Sequence, residues 1–219
     1  ALLHAAEVDI GLIPSIEYLR GRHYRVAPGI SAASRGPVAS VAVFSKLPIQ
    51  RVRSVALDTS SRTSAALLRV LCAERFGIAP VFEPATPDRS RMLASRAAAL
   101  LIGDLALFTG HERLGLFKTD LGAEWTAHTG LPFVWAFWAG APEALTDEVC
   151  TILARARDRG RASIADIAAD HGRDDPAAAA ISTDLTALSG RDALPSGAGD
   201  DWIVGDAQGY YASGSGNDD

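Results

Sequence analysis

A hydroxyl-rich turn between two apolar segments carries the residue types best suited to chemistry in this sequence. The segment Leu57–Leu68 reads LDTSSRTSAALL, which predicts a strand, a turn and the start of a helix. The first turn of a helix exposes unpaired N–H groups and the positive end of the helix dipole, so it attracts phosphate or carboxylate groups. One hydroxyl is enough to cap a helix, and a larger number favours a ligand site over simple capping. The candidate donors are Thr59, Ser60, Ser61, Arg62, Thr63 and Ser64.

Further candidate positions lie where a strand is predicted to begin or end. Ser40 closes the segment GPVAS at the head of a buried strand, where it could face a cleft or serve as an ordinary structural serine. Gly103 and Asp104 follow an apolar strand, and open α/β sheets bind ligands at the carboxyl ends of their strands. Asp104 could equally cap a helix over Leu105–Phe108. Ser15 follows the first apolar strand and is the predicted N-cap of the next helix.

Composition and spacing exclude several function classes. The 219 residues carry 21 basic and 26 acidic side chains, a net charge of −5, which argues against a broad nucleic-acid-binding surface. Every apolar run is shorter than the roughly 18 residues of a membrane-spanning helix. The histidines match no metal-binding spacing, and no GxSxG or GxGxxG motif follows a strand, so we expect no metal and no cofactor. Cys72 and Cys150 are too few for a disulfide framework.

Strand and helix signals alternate along the chain, which predicts an α/β fold with mostly parallel sheets. Ala39–Phe44 and Ser54–Asp58 are typical of strands buried on both faces, and Leu131–Ala139 is the most apolar strand. The chain opens with the end of a helix, Ala1–Ala6, which leads into a strand at Val8–Ile13. This opening predicts that at least one βα unit precedes the first residue.

Four segments, followed by a fifth, have the order and spacing of one known family and together cover residues 1–140. They are VDIGLIPSIEYL (8–19), GPVASVAVFSKLPI (36–49), VALDTSSRTSAALLRVLCAERFG (55–77) and ALLIGDLAL (99–107), then DLGAEWTAHTGLPFVWAFWA (120–139). The SRTS turn and the DLG and TGLPFV parts of the last segment are the most specific. These segments resemble chorismate dehydratase of the futalosine route to menaquinone.

The resemblance implies the fold of a type II periplasmic binding protein, in which two α/β lobes are joined by two crossovers. On this template, lobe one comprises 1–38 and 109–190, with C-terminal helices, and lobe two comprises 39–108. A disordered tail is expected over 191–219. The family's N-terminal YLN-type motif has no counterpart in this sequence, so the first strand and helix of lobe one are expected to be missing.

The resemblance also implies an enzyme, a hydro-lyase that removes water from chorismate to give 3-[(1-carboxyvinyl)oxy]benzoate in menaquinone biosynthesis. Ser40 matches the serine of the family's GPV-x-S segment and is the implied catalytic residue. The partner is therefore a small anionic substrate rather than a nucleic acid or a membrane, and the implied location is the cytoplasm. The sequence sets no oligomeric state. The implied substrate-binding residues are Ser15, Ser61, Arg62, Thr63, Ser64, Gly103 and Asp104.

Two other functions fit the same residues. A solute-binding protein of this architecture would hold a small carboxylate without catalysing a reaction. The 1,4-dihydroxy-6-naphthoate synthase of the same pathway is a second alternative, although the SRTS turn and the GPVAS segment favour the dehydratase.

Overall fold

The chain folds into two compact units. The computed structural model describes residues 2–21, 23–167 and 169. The first unit combines the first 33 residues with the described residues from 134 onward, and the second unit is Ser34–Phe133. In chain order the elements are β1 Ile10–Pro14, α1 Ser15–Tyr18, β2 Arg25–Ser34, β3 Val41–Ser45, β4 Ser54–Asp58, α2 Arg62–Glu74, β5 Val81–Ala85, α3 Arg89–Ser95, β6 Ala98–Ile102, α4 Asp104–Leu107, β7 Phe117–Asp120, α5 Leu121–Thr129, β8 Phe133–Gly140 and α6 Asp147–Ala162.

A three-stranded sheet and a long helix form the first unit. The strand order is β1, β8, β2, and β1 runs antiparallel to β8 with Ile10 opposite Gly140. Helix α6 begins where the Thr146 side chain accepts the backbone N–H of Val149. Its buried residue Cys150 packs with residues of β2, and this contact joins the helix to the sheet.

The second unit is built on a five-stranded sheet with the order β5, β4, β6, β3, β7. Strand β4 runs parallel to β5 and β6, whereas β3 runs antiparallel to β6 and β7. The amino end of β3 therefore lies at the same edge of the sheet as the carboxyl ends of the other four strands. We call this the site edge of the second unit.

The strands of the second unit are positioned by a buried apolar core. Every residue of β3 is buried, as expected for a central strand covered on both faces. Helix α2 buries Leu67, Leu68, Leu71 and Cys72, which share one face because helical residues three or four apart are neighbours. Residues of β3, β4 and β6 form a core cluster with residues of α3 and α4: Ala42, Phe44, Ala56, Met92, Ala99, Leu101 and Ala106.

The α/β class is confirmed, but the prediction of mostly parallel sheets is wrong. Two pairings in the second unit are parallel and two are antiparallel, and β1 and β8 are antiparallel as well. Strands β3 and β4 are joined only by a short connection containing a 3₁₀ turn at Ile49–Arg51. Two strands that run in the same direction need a crossover connection of a dozen or more residues, usually an α-helix. The connection between β3 and β4 is shorter and contains no α-helix.

The structure also differs from the sequence expectations at the start of the chain. The described residues of the predicted opening helix, 2–6, form turns, and the first strand begins at Ile10 rather than Val8. Residues 109–133 lie in the second unit, where β7 is hydrogen-bonded to β3. The lobe boundaries stay a prediction. The predicted helices beyond residue 169 and the tail 191–219 lie outside the described residues.

Among the described residues, no helix combines the length and apolar character needed to span a membrane. Cys72 and Cys150 are both buried and free.

Because the Cys72 thiol is buried, we expect the folded state to become less stable at alkaline pH. Burial raises the pKa of Cys72 from 9.0 to about 11, and the nearby Arg69 lowers it by less. The folded state therefore favours the neutral thiol, and its contribution is complete below pH 9 and is lost as the pH rises through 11. Over this window we expect the free energy of unfolding to fall by about 1 to 3 kcal/mol because of this group.

The measurement is urea unfolding at several pH values in the wild type and in Cys72→Ala. The variant should start less stable and should lose less stability between pH 9 and 11 than the wild type does. Parallel curves for the two proteins would show that Cys72 does not carry this dependence.

Candidate functional site

The hydroxyl-rich turn links the carboxyl end of β4 to α2 at the site edge. Ser61 is the N-cap residue: its Oγ accepts the Ser64 N–H at 3.2 Å and donates to the Ser64 Oγ at 2.7 Å. Thr63 and Ser64 are buried, and Arg62 is the first residue of the helix. Ser64 accepts the bond from Ser61, so its own hydroxyl proton is not used there. The predicted strand, turn and helix are confirmed.

A buried carboxylate orders the same turn from the strand side. Asp58 is 2% exposed, and its Oδ1 accepts the Ser60 N–H at 2.8 Å and the Ser60 hydroxyl at 2.5 Å. This geometry is an Asx turn, in which the side chain replaces a backbone acceptor. The Ser60 hydroxyl is thus bonded within the protein, so the turn uses some of its hydroxyls to fix its own shape.

Ser40 lies immediately before β3 at the site edge and is 1% exposed. Its N–H and its hydroxyl both donate to the Val38 carbonyl, at 2.5 and 3.2 Å. Its own carbonyl accepts the Gly103 N–H at 2.8 Å, next to the pairing of Val41 with Ile102. The structure therefore brings together Ser40 and Gly103, which the sequence singled out separately.

Gly103 and Asp104 lie at the carboxyl end of β6, as predicted. Gly103 is the N-cap residue of α4 with φ 57° and ψ −142°, a conformation that favours glycine. Asp104 is exposed and is the first residue of the helix. The expectation that Asp104 caps this helix is wrong, because the glycine takes the cap position and leaves the carboxylate one residue further on.

Ser15 belongs to the first unit, where β1 ends. The structure places Pro14 at the N-cap of α1 and Ser15 at the first helical position, so the predicted capping role of Ser15 is wrong. The same short helix carries Glu17, which is 3% exposed and whose Oε2 lies 3.0 Å from the Nε2 of His4. The role of Ser15 in substrate binding stays a prediction.

Asp120 is the residue at the site edge that sequence reasoning missed. Its Oδ2 accepts the Ala39 N–H at 2.7 Å, and both carboxylate oxygens lie 3.1 Å from the Val38 nitrogen. Its Oδ1 also accepts the Ala123 N–H at 3.0 Å, which makes Asp120 the N-cap of α5. The signal in the sequence was the DLG segment itself, but its loop partners Val38 and Ala39 are 82 and 81 residues away.

Two further residues of α5 contact the GPVAS segment. The hydroxyl of Thr126 accepts the Gly36 N–H at 2.8 Å. A Cβ atom on Gly122 would lie 2.6 Å from the carbonyl oxygen of Gly36 and 3.0 Å from the hydroxyl of Ser34. Together with Asp120, these residues join the DLG segment to the GPVAS segment.

The assembled edge offers hydrogen-bond donors and the positive end of a helix to a small anion. The donors lie beside three neighbouring strands of one sheet: Ser40 precedes β3, Gly103 follows β6 and the first turn of α2 follows β4. Hydroxyl and backbone N–H donors suit carboxylates, and Arg62 adds a positive charge. The described residues contain no cluster of His, Cys, Asp and Glu side chains that could hold a metal ion.

Comparison with known proteins assigns the chain to a family. A family model described as menaquinone biosynthesis matches residues 1–189. A protein of Thermus thermophilus named chorismate dehydratase is 35% identical over 154 residues, which are 63% of this chain and 56% of that protein. The chain thus spans little more than half the length of this relative.

Solved structures give weaker likenesses. A protein of Archaeoglobus fulgidus is 22% identical with a TM-score of 0.49, over 87% of this chain and 66% of the other. A protein of Parabacteroides distasonis described as an ABC transporter is 18% identical with a TM-score of 0.49, over 88% of this chain and 66% of the other.

We expect Gly122→Ala to destabilise the second unit by about 1 to 3 kcal/mol, because the new methyl group would force α5 away from the Gly36 carbonyl. The matched control is Gly160→Ala in α6, where a Cβ meets nothing within 4 Å. Alanine has the higher helix propensity, so this control should be neutral or stabilising by up to about 1 kcal/mol. Urea unfolding measures both, and equal effects would contradict the close approach.

Proposed function

The chain belongs to the menaquinone biosynthesis family, and from this premise we propose that it is a chorismate dehydratase. The proposed reaction removes water from chorismate to give 3-[(1-carboxyvinyl)oxy]benzoate, so the enzyme is a hydro-lyase. The relative from Thermus thermophilus that carries this name supports the proposal. The predicted cytoplasmic location stays a prediction.

One structural observation carries the proposal. Ser40 and Gly103 are hydrogen-bonded to each other, and the first turn of α2 lies at the same edge of the second unit. All three come from segments that resemble the dehydratase family. Chorismate carries two carboxylates, and a helix start with hydroxyl groups beside it is a suitable holder for such a group. The finer fold prediction, a two-lobed binding-protein-like architecture, belongs to this proposal and is supported by the two units of the chain.

The chemistry of the substrate defines what the protein must supply. The hydrogen that is lost lies on the ether-bearing carbon, which is conjugated through a ring double bond to the ring carboxylate. We propose that the substrate's own enolpyruvyl carboxylate accepts this proton, because no residue matched to the family is an evident strong base. Loss of the proton gives a delocalised anion, hydroxide then leaves the neighbouring carbon, and the ring becomes aromatic. Because negative charge accumulates on the ring carboxylate, donors aimed at that group lower the barrier more than they stabilise the bound substrate.

The proposed roles follow from the placement of the residues. The first turn of α2, with Arg62, Thr63 and Ser64, binds one carboxylate through its donors and its dipole. Ser40 is proposed to exchange its hydroxyl bond to the Val38 carbonyl for one to the substrate, and in this way to stabilise the developing charge. Ser61, as the N-cap, keeps the turn in shape. Gly103 and Asp104 lie at the same edge of the second unit. The substrate-binding role of Ser15, a residue of the first unit, stays a prediction.

The test is incubation of the protein with chorismate, followed by loss of the diene absorbance and detection of the benzoate product by mass. Formation of the product supports the dehydratase. Binding without product supports a carboxylate-binding protein instead. Absence of both binding and product overturns the proposal.

We expect Ser40→Ala and Thr63→Ala each to weaken chorismate binding by about 1.5 to 3 kcal/mol, roughly 10- to 150-fold in Kd, since each removes a hydrogen bond to a charged group. Isothermal titration calorimetry measures the affinity.

The matched control is Ser45→Ala. Ser45 is also buried and also donates to a carbonyl two residues away, that of Leu47, but it lies at the opposite end of β3. Its loss should leave the affinity within about twofold of the wild type, a change well under the free energy of one hydrogen bond. An equal loss of affinity in Ser40→Ala and Ser45→Ala would contradict a site at this edge.

A further inference from the structure

We propose that Asp120 is a positioning residue, which acts by holding a strained backbone turn that sets the orientation of Ser40. The effect of Asp120 on catalysis rests on the proposed function. Its effect on the turn does not, because the conformation of the turn can be measured without any reaction.

The residue before Ser40 has an unusual backbone conformation. Ala39 has φ 56°, in the left-handed region that non-glycine residues rarely adopt. The Ser40 N–H donates back to the Val38 carbonyl across Ala39 at 2.5 Å. A bond between residues two apart with a positive central φ defines a γ-turn of the strained kind. Such conformations persist only where the surrounding structure imposes them.

Asp120 supplies this constraint. Its carboxylate accepts the N–H groups of both Val38 and Ala39, the two residues that open the turn. The bonds are formed by a charged acceptor, which makes them stronger than bonds between neutral groups. Asp120 is itself held in place at two points. Its side chain caps α5 through the Ala123 N–H, and it is the last residue of β7, which pairs with β3.

The turn determines where the Ser40 side chain lies. The hydroxyl and the N–H of Ser40 share the Val38 carbonyl as acceptor, and the Ser40 carbonyl is bonded to Gly103. If Ala39 relaxed to a negative φ, the Val38–Ala39 and Ala39–Ser40 peptide planes would rotate relative to each other. The bonds from the Ser40 N–H and hydroxyl to the Val38 carbonyl would then break. The backbone of Ser40 would then lose its fixed position, and the side chain proposed to contact the substrate would leave the strand in a different direction.

Asp120→Ser separates this role from simple helix capping. Serine is as good an N-cap as aspartate, so the start of α5 is preserved, but the shorter side chain does not reach the loop. The matched control is Asp88→Ser, since Asp88 caps α3 in the same unit through the Arg91 N–H. A rescue variant combines Asp120→Ser with Ala39→Gly, because glycine adopts a positive φ without strain.

The first readout is amide hydrogen exchange of Val38 and Ala39 by NMR, which does not depend on catalysis. We expect Asp120→Ser to accelerate exchange at both amides at least 10-fold and Asp88→Ser to leave it unchanged. Continued protection of these two amides in Asp120→Ser would overturn the inference.

The second readout is steady-state turnover of chorismate by the whole chain. We expect Asp120→Ser to lower kcat at least 10-fold with a smaller change in KM, and Ala39→Gly to restore part of kcat in that background. An activity equal to that of Asp88→Ser, or the absence of rescue, would overturn the positioning role. If the wild type neither binds nor converts chorismate, the proposed function fails, and the exchange experiment still decides whether Asp120 holds the turn.

Discussion

The carboxylate of Asp120 is the contact on which the site edge of the second unit depends. It accepts backbone N–H groups of Val38 and Ala39 from one segment and of Ala123 from another. An unpaired buried N–H costs about 1 to 3 kcal/mol, so the loop and the helix cannot shift independently without losing such bonds. Gly122 and Thr126 extend the same contact, because one permits the close approach and the other accepts the Gly36 N–H. The position of Ser40 is therefore set by α5, and not only by the strand that it precedes.

The mixture of parallel and antiparallel strands determines which residues lie next to Ser40. In a sheet with only parallel strands, the residue before β3 would lie at the edge opposite the carboxyl ends of β4 and β6. Because β3 is antiparallel to its neighbour β6, Ser40 instead lies beside Gly103 and at the same edge as the start of α2. The proposed site thus combines the carboxyl ends of β4 and β6, where open α/β sheets bind ligands, with the amino end of β3.

Local signals in the sequence were sufficient for some elements and not for others. Strand β4 and the capped start of α2 were predicted correctly, since a buried apolar run and an N-cap serine act within a few residues. Strand direction was predicted wrongly, because it depends on which strands pair and not on their order along the chain. Asp120 was missed for the same reason: an aspartate before a helix predicts a cap, whereas its bonds to Val38 and Ala39 join residues far apart in sequence.

The composition of the hydroxyl-rich turn indicates donors for a ligand, but several of its hydroxyl groups are bonded within the turn itself. Ser60 is bonded to Asp58, and Ser61 is bonded to Ser64, so these hydroxyl groups act first on the turn itself. Such bonds fix the direction of the α2 dipole and of the N–H groups at its start before any anion arrives. Electrostatic stabilisation of a developing charge is most effective when the dipoles need not reorganise during the reaction. Internal bonding of the turn is therefore compatible with an anion site and is the property that such a site requires.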